Sequence, residues 1–282
     1  MKRLLLTFVA GPALLLGGCI IVVDEGEAQV RTAGNRMVGG DMSLTLDERG
    51  DFSIAGGDIE VTGDVDGTLS ISGADILARR ISLGGFEANA ADIRFQGSGS
   101  GDAELNAADI DWTGAIGGAA EFNAADLEFE GSVGEGLRAN IADGRFTGQF
   151  AGVRVNSADL HFDDGAQVRG DLYANAADFV FSGTLEGGLD LAANHAVIAG
   201  TIAGPLAIEA DPGRAPHGRE DGLVEISGTV SGGEICARRV VITGTVSGPL
   251  AVTADEPAVI EAGAQAGSVS YTPRNGQRCE RE

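Results

Sequence analysis

From Met42 onward, apolar residues fall on alternate positions in short runs, as in "DIRF" (92 to 95), "DIDW" (109 to 112) and "DLEF" (126 to 129). A spacing of two is that of a strand with one buried face. The position after each leading Asp is mostly branched or aliphatic: Met42, Ile59, Ile76, Ile93, Ile110, Leu127, Leu160 and Phe179. The third position after it reads Leu44, Val61 and Ala78, then Phe95, Trp112, Phe129, Phe146, Phe162 and Phe181. Six aromatics in one column predict an inner stack. Pairs such as Leu105 and Ala107, or Leu189 and Leu191, resume the alternation further along each unit, with Gly63, Gly67, Gly97, Gly114 and Gly131 between the runs. Glycine allows the bends.

These runs recur at a fixed interval. Asp41, Asp58, Asp75, Asp92, Asp109, Asp126 and Asp143 are 17 residues apart, and Asp159 and Asp178 continue the series less strictly. A unit this short cannot bury its apolar face alone, but it can by lying on the unit before it. The expected fold is therefore all-β, a single-stranded β-solenoid (parallel β-helix) of about 17-residue coils with ladder hydrogen bonds made between coils. A β-sandwich has no reason to repeat one corner at one interval. Roughly 13 coils about 4.8 Å apart would make a rod near 60 Å long.

The corner itself is spelled "NAAD". Asn89, Asn106, Asn123, Asn140, Asn156, Asn175 and Asn194 are read as one column, whose amides can bond to one another as polar ladders do in stacked strands. A sugar- or ice-binding reading would need those amides exposed and flat. The column of Asp92, Asp109, Asp126 and Asp143 poses a harder problem, because unit charges about 4.8 Å apart repel by roughly 0.9 kcal/mol even in water. The structural expectation is that each carboxylate accepts a backbone N–H in its own turn. The functional one is a row of hard-oxygen cation sites, although "GGDMSL" and "GGDIEV" do not follow the calcium-binding nonapeptide pattern. The structural expectation is preferred, with no metal and no cofactor.

After Val197 the alternation persists without the Asn and Asp corners, in "AVIAGTIAGPLAIEA", "VEISGTVSGGEICARR" and "VVITGTVSGPLAVTA". Between the first two, the Pro- and Gly-rich residues 211–222 read as a loop thrown out of one coil. The expected organisation is a signal at 1–18, a linker at 19–40, Asn/Asp-corner coils at 41–196, a second set of coils at 197–271 and a polar tail at 272–282.

Charge then narrows the partners. The formal net charge is −23, and loss of Lys2 and Arg3 with the signal makes the mature chain more negative. Such a surface does not bind nucleic acid through phosphates. The opening "MKRLLLTFVAGPALLLGGC" has a basic start, an apolar run and small residues before a cysteine, the form of an export signal. Its end resembles the lipobox of bacterial lipoproteins, which implies cleavage before Cys19 and lipidation, palmitate included, of that residue. The bilayer partner would then be reached through acyl chains, each buried CH₂ contributing about 0.8 kcal/mol. Ile20 is not the Asp that retains some lipoproteins in the inner membrane, so the outer membrane is the preferred location. The remaining cysteines, Cys236 and Cys279, are an even pair in an oxidising compartment. They are either a disulfide or two thiols too far apart to meet.

Catalytic chemistry finds no focus. Polysaccharide-cutting β-helices gather acid and base at one place, whereas Asp is spread over many coils here. His161, His195 and His217 share no motif, and the pairs Arg79–Arg80 and Arg238–Arg239 read as solvated corners. "AADL" is similar to the pentapeptide-repeat signature, but "EFEGSVGEG" contains no second such triplet. The final coils, with their "G-x-V-x-G" text, resemble those of the bactofilins and related polymer-forming β-helical proteins; a weaker likeness is to the repetitive heads of adhesins. The bactofilin resemblance implies a β-helix that assembles end to end, in proteins that are generally cytosolic, while this chain carries an export signal. The expected function is a non-enzymatic envelope lipoprotein whose rod is a scaffold or adhesive surface, with self-association, an envelope protein or a glycan as partner. The alternative is a glycan-binding or glycan-active β-helix.

Overall fold

A computed structural model describes residues 31–210 and 222–279. The signal at 1–18, Cys19, most of the linker, His217, the loop at 211–221 and residues 280–282 lie outside the described residues. The protein is an all-β solenoid of about 13 turns. Residues 109–125 show how one turn is made. Asp109–Ile116 runs along a first face, bends at Gly114 and continues onto a second. Ala120–Asn123 forms a third. Ile110, Trp112, Ile116, Ala120 and Phe122 point inward and are buried, while Asp109, Asp111 and Glu121 point out. Each strand pairs in parallel with its counterparts in the coils before and after: Ile110 opposes Ile93 and Leu127, and Phe122 opposes Leu105 and Ala139.

The bend explains one glycine column. Gly114 and Gly148 have φ of 142° and 119°, and a Cβ at either would run into the carbonyl oxygen of the glycine one coil earlier, Gly97 or Gly131. A side chain is excluded there twice, by backbone conformation and by the neighbouring rung.

Parallel pairing starts earlier than the aspartate column suggested. Arg36–Val38 pairs with Phe52–Ala55, and Met37 is fully buried, so the third face begins inside the stretch expected as linker. An antiparallel hairpin of Arg31–Ala33 with Arg36–Val38 precedes it. At the other end Val269–Pro273 is the last rung, two residues beyond Tyr271. The two ends differ: Met42 and Leu44 of an early coil are buried, whereas Ile260 and Tyr271 of the last are 48% and 38% exposed.

Cys236 and Cys279 are joined by a disulfide that spans 43 residues. Cys236 lies on the third face opposite Thr253, so the bond ties the chain's end back across the final rungs. Arg274 reinforces the closure, donating from Nε and Nη2 to the two carboxylate oxygens of Asp255 at 2.9 and 3.2 Å.

Candidate functional site

The described surface presents columns, each made of one position repeated coil after coil. At the "NAAD" corner the backbone is satisfied without side chains. Ala107 N–H donates forward to Asn123 O at 3.0 Å, while Ala108 and Asp109 N–H both donate back to Ala91 O at 2.8 and 3.1 Å. The same arrangement recurs one coil later, where Ala124 N–H reaches Asn140 O and Ala125 and Asp126 N–H share Ala108 O.

On this corner the amides of Asn106, Asn123, Asn140, Asn156 and Asn175 form a ladder. From Asn123 on, each Nδ2 donates to the Oδ1 of the preceding asparagine, at 3.0, 3.0, 2.9 and 2.9 Å. Asn89 opposes Asn106 in the same column. Asn194 does not belong to it, contrary to the reading by spelling. Ala192 opposes Asn175, and Asn194 sits two residues on, its N–H donating to Ala177 O at 2.9 Å.

Asp92, Asp109, Asp126, Asp143, Asp159 and Asp178 are in register on successive rungs, followed by His195. They do not take the turn bonds expected of them, because the corner N–H groups already donate to coil-to-coil carbonyls. Asp92 instead meets the carboxyls of Asp75 and Asp109, and Asp109 also meets that of Asp126. Hydrogen bonding with Asp92 raises the pKa of both Asp75 and Asp109 above the ordinary carboxylate value, with desolvation and neighbouring carboxylates adding to it. The expected backbone-to-carboxylate bond is made elsewhere. Asp51, Asp102 and Asp171, just ahead of third-face strands, accept the N–H of Thr68, Ala119 and Gly188 in the next coil at 2.9, 2.8 and 2.8 Å. Asp41 alone of the corner series does likewise, from Asp58 N–H at 3.1 Å. Among the described residues no group of three or more His, Cys, Asp and Glu is arranged to hold a metal ion.

Phe95, Trp112, Phe129, Phe146, Phe162 and Phe181 oppose one another in register and face inward, Trp112 being 1% exposed. The Phe95 and Trp112 rings stack at 3.8 Å, and the Trp112 Nε1–H donates to Gly114 O at 3.3 Å. Phe86, Phe122 and Phe150 pack against this column from positions that the aspartate period does not single out, and Phe179, from the column that follows each Asp, packs against Phe162. Aromatic packing of this kind belongs to the core.

Some of the histidines and arginines serve local pairs. His161 Nε2 and Arg145 Nε both lie 3.3 Å from Asp163, which also accepts from Thr147 Oγ1 at 3.0 Å. Arg79 pairs with Glu60, while Arg80 is an extra residue in the strand with φ of 49°. Arg239 lies instead on the corner, opposite Leu223. The two Arg–Arg pairs therefore occupy different places in the coil despite similar text.

One surface was not read from the sequence. Beside the third face runs a groove of about 1030 Å³ from Asp66 to Tyr173, floored by glycines such as Gly101 and Gly136. Its wall is the outward column of that face, in register Glu87, Glu104, Glu121, Arg138, Arg154, Tyr173. The guanidinium of Arg154 lies 4.8 Å over the Tyr173 ring. No family model, curated protein or solved structure matches this chain.

Proposed function

We propose that the protein is a non-enzymatic lipoprotein of the bacterial envelope, anchored through Cys19 with preference for the outer membrane, whose rod serves as a scaffold or adhesive surface. The observation that carries this reading is the stack of about 13 turns, which lays outward columns along a long surface and distributes chemistry instead of converging it. The "LLLGGC" end of a basic, apolar leader supports the anchor. The "SGTV" and "TGTV" coils support the likeness to polymer-forming β-helical proteins. A second reading, glycan binding, is favoured by the long groove that ends at the 40% exposed Tyr173.

Cell fractionation tests the first reading. The tagged chain is expected in the membrane fraction with labelled palmitate incorporated, and Cys19→Ser is expected to abolish the label and release the chain. A wild-type chain that takes no label and fractionates as soluble would overturn the anchor.

A further inference from the structure

The third-face column has an order that a repeat does not require. From one end of the groove to the other it reads Glu87, Glu104, Glu121, then Arg138, Arg154, Tyr173, one residue per rung and about 4.8 Å between rungs. All six side chains are exposed. Among the described residues no ion pair engages Glu87, Glu104, Glu121, Arg138 or Arg154. The side-chain contacts recorded for them are the Arg154–Tyr173 stacking and a hydrogen bond from Ser70 Oγ to Glu87 Oε2 at 3.0 Å. Three acids thus stand in line with two bases and a phenol, in a chain whose overall charge is strongly negative.

Read backwards, the column is its own complement. If a second copy is turned end for end about a two-fold axis between the Glu121 and Arg138 rungs, Glu121 meets the partner's Arg138 and Glu104 meets the partner's Arg154. Glu87 then meets the hydroxyl of the partner's Tyr173. A two-fold axis makes every such contact twice, which is the defining property of an isologous interface. In a parallel, in-register pairing Glu would face Glu and Arg would face Arg, so the charges select the antiparallel arrangement. The glycine-floored groove beside the column leaves room for the partner's ridge of side chains. Farther out, Arg36 and Glu234 occupy mirror-related places in the same column, six rungs from the axis on either side.

We propose that two copies of this chain associate side by side and antiparallel through the Glu87–Tyr173 column of the third face. This deepens the scaffold reading and rests on its self-association arm. It stands or falls separately from the anchor, because the purified chain is enough to test it. The pairing spans about 30 Å of rod, at the small end of specific interfaces. Anchoring many copies in one membrane would raise their effective concentration. At about 0.15 M salt the Debye length is about 8 Å, so the like net charges of two rods are largely screened while contacts across the column are not.

The test is sedimentation of the full chain carrying Cys19→Ser, at about 0.15 M salt. The expected result is a concentration-dependent dimer of the 28.6 kDa chain. Arg138→Glu with Arg154→Glu should be monomeric, and so should Glu104→Arg with Glu121→Arg. Mixing the two charge-reversed proteins should restore a dimer, since one column is then five acids with Tyr173 and the other predominantly basic; restoration also shows that both are folded. For orientation, Glu87→Cys should cross-link to Tyr173→Cys in a mixture, but not to itself, because its own mate lies about five rungs away. A wild-type chain that stays monomeric at every concentration overturns the proposal. So does a dimer indifferent to either reversal, a mixture that fails to associate, or a Glu87→Cys chain that cross-links to itself.

Discussion

Between Asp92 and Phe181 the coil is filled with aromatic rings and edged by amides and carboxylates. Between His195 and Pro273 its interior is Ile, Val, Leu and Ala. The column that holds Phe162 and Phe181 continues as Ile198, Ile226 and Ile242. The column that holds the asparagines continues through Ala192 and Glu209 to Cys236 and Thr253. Both regions nevertheless keep the same three-faced turn, and the corner bonds persist: Arg238 and Arg239 N–H share Gly222 O just as Ala108 and Asp109 share Ala91 O. The comparison teaches that the backbone, bonded rung to rung, makes the coil. Side chains then decide how each region is held: rings and an amide ladder in one, small aliphatics and a covalent tie in the other.

The largest effect should come from the aromatic region. Trp112→Ala removes a buried ring between Phe95 and Phe129 and should cost about 3–5 kcal/mol, measured by urea unfolding. Because a solenoid is held by nearest-neighbour contacts, amide exchange should accelerate at the Phe95 and Phe129 rungs while the Ile242 rung keeps its protection. Equal acceleration in both regions would mean that they are one cooperative unit. Next in size, Cys236→Ser releases a 43-residue closure, which chain entropy values at about 4 kcal/mol as an upper figure. Here the loss should appear first at Val269–Pro273, and Trp112 fluorescence should not change until global unfolding.

The smallest effect concerns the carboxyl column. Asp75 and Asp109 have pKa values raised in the folded state, so the fold holds their protons more tightly than the unfolded chain does. Their contribution is fully present below the unfolded value of 3.8 and is lost as pH rises through the raised folded value. Asp109→Asn should therefore raise the melting temperature slightly near neutrality, and the gain over wild type should vanish below about pH 3.8. A wild type favoured at neutral pH would mean that the column is stabilised by something other than shared protons.

The coil was legible in the sequence because period and alternation are both carried by large side chains: Ile93, Phe95, Ile110 and Trp112 stand where spacing puts them. The departures from that pattern have physical reasons. Asn194 shares the corner's composition, but strand register puts Ala192, which has no amide, opposite Asn175. Arg80 is an inserted residue that leaves the count of 17 intact, because the following bend of the same coil is one residue shorter: Leu83 and Phe86, three residues apart, oppose Gly99 and Ala103, four apart. The Glu87–Tyr173 column carries no periodic signal, because its residues change sign midway. The disulfide depends on a distance between Cys236 and Cys279 that no one-dimensional text contains.

The corner where Ala210 ends one rung and Gly222 opens the next has a practical meaning. Eleven residues lie between these two positions, yet Ala210 opposes Ala193 and Ala237, Leu223 opposes His195, and Gly222 N–H reaches Asn194 O at 2.6 Å. At residues 90–91, 107–108, 124–125 and 176–177 the same corner is crossed by "AA". A stretch of chain can thus be added at this vertex without disturbing either neighbour's register. The vertex behaves as a port: a guest loop placed between Ala107 and Ala108 or between Ala124 and Ala125 would emerge at a chosen height on the rod, and two guests at those sites would sit one rung apart.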